Sequence, residues 1–92
     1  MTNTNLTTKE ELFAHAQSLT TEFETTLAHM KTSERARFGL MRHAYFISLD
    51  ACNIYSYIMD VMCDTEQEET LCVEQMDKIY ALKDEHNIEE VA

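Results

Sequence analysis

A chain of 92 residues with no proline and a single glycine, Gly39, is too poorly supplied with turn formers to be β-rich, because tight hairpins recruit Gly, Asn-Gly or Asp-Gly. Its length fits one domain that buries roughly 60–65% of its unfolded surface, and 45% hydrophobic residues exclude wholesale disorder. The net charge of −10 lies wholly in the second half: residues 1–49 carry five acids and five bases, whereas residues 50–92 carry twelve acids against Lys78 and Lys83.

The opening MTNTNLTT is polar and uncharged, reads as a flexible arm over residues 1–7, and has no basic segment leading into an apolar run, so no secretory signal is expected. Thr8 can cap a first helix, with Glu11 three residues on completing a capping box. From there Leu12, Ala16, Leu19, Phe23, Leu27 and Met30 recur at the helical period and predict a helix over about 8–31. Its stripe is narrow and needs only one neighbour.

Thr32 or Ser33 can cap a second helix, over about 33–63, the longest and most apolar of the chain. Its arc runs through Leu40, Ala44, Ile47, Ala51, Tyr55, Ile58, Val61 and Met62, interrupted by Arg37 and Ser48. An arc this wide suits a central helix touched by two others. Asp50, Asn53 and Asp60 within its hydrophobic stretch argue against a membrane span. The opposite stripe holds Arg35, Arg42, His43, Asp50, Asn53, Asp60 and Asp64, with Phe46, Leu49 and Tyr57 among them. Asp64 or Thr65 can cap a third helix, over about 65–86, with Thr65 and Glu68 at capping-box spacing and Cys72, Val73, Met76, Ile79 and Tyr80 as its buried face. Asn87 can end that helix in the left-handed conformation. Residues 87–92 read as a tail that frays or docks through Ile88 and Val91. The expected fold is an all-α, three-helix antiparallel bundle with a long apolar central helix.

Catalytic and metal motifs are weak. His15, His29, His43 and His86 lack paired ligand spacing on facing helices, and Cys63 and Cys72 do not make a zinc knuckle. A lone echo, Leu12-x-x-His15-Ala16 and Leu40-x-x-His43-Ala44, falls short of a repeat. A single glycine supplies neither a phosphate loop nor a nucleophile elbow. Cys52 and Cys63 lie on the apolar arc, where a thiol is packing. Three cysteines with no framework spacing predict reduced thiols and a cytoplasmic setting. No enzyme activity, cofactor or metal is expected.

Two charged surfaces invite partners. The basic cluster Lys31, Arg35, Arg37, Arg42 and His43 can bind an anion or nucleotide, or pair with the chain's own acids; the acidic balance argues against direct contact with nucleic acid. The carboxylates Asp60, Asp64, Glu66, Glu69, Glu74, Asp77, Asp84 and Glu85 can be solubilising, or can imitate a phosphate row and occupy a basic groove, imperfectly because Lys78 and Lys83 interrupt them. Phe46, Leu49 and Tyr57 beside Arg42 have the composition of an interface centre. As a class, a small acidic helical protein without catalytic residues resembles phage inhibitors such as anti-restriction and anti-CRISPR proteins. The resemblance implies a cytoplasmic protein-binding module that blocks a nucleic-acid-handling protein sterically and electrostatically. A second reading is a homodimeric adaptor or chaperone that uses the apolar stripe of the second helix.

Overall fold

A computed structural model describes residues 8–88; the arm over 1–7 and the expected docking of Val91 lie outside them. Three helices run up, down and up: α1 over Lys9–Thr32, α2 over Arg37–Tyr57, and α3 over Glu66–His86. A single π-helical turn, Ile58–Met62, continues α2. The expected all-α bundle is the fold found, with no strand among the described residues.

Local chemistry sets the helix ends. The Glu11 amide donates to the Thr8 hydroxyl at 3.1 Å and the Thr8 amide donates to the Glu11 carboxylate at 2.9 Å, a closed capping box. The Thr65 hydroxyl accepts from the Glu68 amide at 3.2 Å, but the Glu68 carboxylate accepts from the amide of Asp64 rather than of Thr65. At the far end Asn87 takes φ 56°, ψ 42°, and the amides of Asn87 and Ile88 donate back to the carbonyls of Asp84 and Lys83. This is the Schellman closure, and it carries Ile88 into the core at 5% exposure. Asn87 and Ile88 therefore belong to the fold and not to a fraying tail.

The start of α2 differs from expectation. Neither Thr32 nor Ser33 caps it: Thr32 is the last residue of α1, Ser33 follows it in extended conformation, and α2 begins after Ala36 with no side-chain cap. The chain needs Ser33–Ala36 to reverse direction, so the connection consumes the residues that local pattern assigns to a first turn. In exchange, the Arg37 guanidinium donates to the Met30 carbonyl at 3.5 Å, placing a cation at the negative end of α1.

One core joins all three helices: Ala16, Phe23, Leu27 and Met30 from α1, Ala44, Ile47, Ala51, Cys52 and Tyr55 from α2, Ile58 from the π-turn, Cys72 and Ile79 from α3, and Ile88. The α1–α2 seam is the broadest contact, and α3 packs more lightly. The buried hydroxyls of Thr20, Thr26 and Ser48 donate to the carbonyls of Ala16, Glu22 and Tyr45 on their own helices at 2.7–2.8 Å. On α3, Val73 and Tyr80 are 38% and 49% exposed, in contrast to the expected buried face, because the lighter packing turns only the Cys72–Ile79 line inward.

Polar contacts fasten the start of α3 to the start of α1. Lys9 Nζ lies 2.8 Å from carboxylate oxygens of both Asp64 and Glu68. The hydrogen bond from Lys9 holds the Glu68 carboxyl below its ordinary 4.5, and the bonds to Asp64 and Glu68 hold Lys9 above its ordinary 10.5. A carboxylate with a depressed folded pKa adds stability above its unfolded pKa and loses it as pH falls through the folded value; a lysine with a raised pKa keeps its contribution until pH rises past 10.5. Melts of the wild type should therefore show an acid loss below pH 4.5 that Lys9→Met reduces. Superimposable pH profiles for the two proteins would show that the cluster adds nothing measurable.

The Tyr55 ring is fully buried, and its hydroxyl makes no hydrogen bond among the described residues; the neighbouring Thr20 hydroxyl donates to the Ala16 carbonyl and does not accept from Tyr55. An unpaired buried hydroxyl costs about 1–3 kcal/mol. Tyr55→Phe is thus expected to leave stability unchanged or raise it by up to about 1 kcal/mol in urea unfolding, whereas a comparable loss would mean that the hydroxyl is engaged.

Candidate functional site

The bundle measures 43 × 34 × 22 Å, so its thin dimension is about two helix diameters. With α1 and α3 both packed on one side of α2, no layer of the described residues lies over the opposite side. Phe46, Leu49 and Tyr57 stand there at 51%, 39% and 51% exposure, with Arg42, Asn53 and Asp60 also exposed. The structure thus brings Arg42, Phe46, Leu49, Tyr57 and Asp60 to one flank of the molecule. Phe46 is steadied by the Tyr45 ring, edge to face at 5.5 Å.

Two residues extend this face beyond the expected set. Phe38 is 61% exposed and sits at helical spacing from Arg42 and Phe46, so it was available to a periodicity argument. Val61 is 63% exposed although the α-helical arc places it inward. The i→i+5 winding of the π-turn carries each residue through less rotation, and no local sequence pattern announces it.

The acidic face is α3. Glu66, Glu69, Glu74, Asp77, Asp84 and Glu85 are all exposed. The lysines that interrupt this row in sequence are both drawn off it. Lys78 Nζ reaches Glu24 of α1 at 2.9 Å. Lys83 Nζ turns toward α2, 5.2 Å from the Tyr45 ring centroid and 5.9 Å from that of Tyr80. Asp64 is separated from the row by its engagement with Lys9. Recesses along α3 and at its junction with the π-turn are shallow and carboxylate-lined; the latter, about 340 Å³, is bordered by Met59, Cys63 and Glu69.

The basic cluster does not converge. Arg37 serves the end of α1, and His43 Nε2 lies 3.0 Å from a Glu22 carboxylate oxygen. Lys31, Arg35 and Arg42 are exposed on the last turn of α1, the connection and the open face of α2, with no carboxylate in ion-pair range among the described residues. Glu22 and Glu24 accordingly pair across helices with His43 and Lys78, partners too distant in sequence for local reading.

The thiols are packing groups. Burial pushes Cys52 and Cys72 above the ordinary thiol range, away from the nucleophilic thiolate. Cys63 donates to the Thr65 carbonyl at 3.1 Å. Among the described residues no three His, Cys, Asp or Glu side chains converge on a point that could hold a metal ion. No helix there is long and apolar enough to cross a membrane. What the geometry offers is two surfaces, one aromatic and one acidic, on a rigid helical frame. No family model, curated protein or solved structure matches the chain, so these surfaces are judged on their own chemistry.

Proposed function

We propose that the protein is a non-enzymatic binding module that occludes a basic, nucleic-acid-handling surface of another protein with the outer face of α3, as phage-type anti-restriction and anti-CRISPR inhibitors do. The observation that carries the reading is the disposition of the lysines. Lys78 and Lys83 are both held by groups on other helices, which leaves Glu66, Glu69, Glu74, Asp77, Asp84 and Glu85 as a run of exposed carboxylates without interleaved cations. Mounted on one helix, such a run presents negative charge at fixed spacing to a groove built for phosphates. The mechanism is steric and electrostatic and forms no covalent bond.

Association of this kind depends steeply on ionic strength, because opposed exposed charges are screened within about 8–10 Å at physiological salt. Immobilised protein is expected to retain nucleic-acid-binding proteins from a bacterial extract at low salt and to release them to duplex DNA or rising salt. The triple reversal Glu66→Lys, Glu69→Lys, Glu74→Lys should retain none of them. Equal retention by the wild type and the reversed variant would refute the reading.

A further inference from the structure

We propose that the open face of α2 receives a second copy of this chain, packed antiparallel about a two-fold axis that passes between Leu49 and Asn53. The face is nearly self-complementary when read in reverse. Reading along it gives Arg42, Phe46, Leu49, then Asn53, Tyr57, Asp60. Arg42 and Asp60 lie nine residues either side of Ala51, Leu49 and Asn53 two either side, and Phe46 and Tyr57 five before and six after.

Antiparallel pairing of such a face with itself sets opposite charges together at its ends and aromatic rings together inside them. Arg42 meets Asp60 of the partner subunit, Phe46 meets Tyr57 of the partner subunit, and Leu49 covers Asn53 of the partner subunit. Each match occurs twice, as a self-complementary two-fold interface requires. Within its own chain neither Arg42 nor Asp60 has an ion-pair partner among the described residues. A parallel pairing in register would instead set Arg42 on Arg42 and Asp60 on Asp60, so the order of charges selects the direction.

The stretch from Arg42 to Asp60 is about 27 Å long. A stable interface needs about 800 Å² from each partner. The ends enlarge the contact: the same register brings Phe38 within a turn of Val61 of the partner subunit, and these are the two most exposed large apolar residues described. Asp50 is exposed one residue from Ala51, so its two copies come near each other beside the axis, a like-charge contact that the two Arg42–Asp60 pairs must offset.

The proposal does not depend on the acidic face of α3, and one experiment keeps the two apart. Sedimentation equilibrium at high micromolar concentration should give twice the 10.7 kDa chain mass. Arg42→Asp and Asp60→Arg should each weaken association about tenfold or more, because the like-charge contact appears twice. An equimolar mixture of the two variants should restore the dimer, since both cross-pairs become opposite in sign. Far-UV circular dichroism of each variant should match the wild type, as both positions are exposed. The triple reversal on α3 should leave the dimer in place even if it abolishes partner capture. A monomeric wild type, reversals without effect, a mixture that fails to pair, or an Arg42→Asp variant that associates more tightly would each overturn the antiparallel dimer.

Discussion

The width of the apolar arc on α2 is the constraint on which the rest of the molecule depends. Burying a large aliphatic or aromatic side chain contributes about 1.5–3 kcal/mol, and the arc supplies Ile47, Tyr55 and Ile58 along with several small residues that let neighbouring helices approach. One helix cannot cover such an arc, so α1 takes the larger share and α3 the remainder. That division leaves α3 more lightly held, with the polar attachment of Lys9 fastening its start where hydrophobic contact is thin. It also fixes what stays outside. Both neighbours lie on one side of α2, so the aromatic residues of the opposite side have no cover among the described residues.

Charge is distributed by the same packing. In sequence α2 runs from a basic end to an acidic one, against the preference of its own dipole, and its first turn contains no acid and its last no base. The fold resolves part of this contradiction by lending Arg37 to the C-terminal carbonyls of α1, where a cation is favoured. Lys9, Lys78 and Lys83 likewise reach to other helices, where each meets carboxylates or aromatic rings. Four bases thus join elements together, while the acids of α3, in excess of any internal partner, remain on the surface. The acidic half of the chain is therefore one polarised face of a single bundle and not a separate unit.

The three helices, their approximate bounds, the capping box at Thr8 and the left-handed Asn87 were legible because each depends on residues within a turn or two. The exposed Phe46, Leu49 and Tyr57 were legible because they break the polar stripe of α2 at helical spacing. What escaped depends on distance or on winding. The direction of Lys78 and Lys83 is set by Glu24 and Tyr45, some forty or fifty residues away in the chain, and no periodicity encodes it. The exposure of Val61 follows from the π-turn, whose one buried residue is Ile58. The uncapped start of α2 follows from the reversal at Ser33–Ala36, which overrides the local preference of Thr32 and Ser33 for a cap.

Self-association of a chain that carries −10 must proceed against its own field, and the placement of charge shows how it can. Repulsion between the α3 faces of two copies acts over distances comparable to or longer than the screening length of about 8 Å at physiological salt, and is largely quenched. In the proposed dimer the Arg42–Asp60 contacts would be close and partly desolvated by Phe46 and Tyr57, and so screened much less. In that dimer the copies would meet through the α2 face, with the α3 faces left outward on both. A two-fold assembly then displays two acidic rows at a fixed separation, and a target with two basic grooves at matching distance would engage the second row at a high effective concentration.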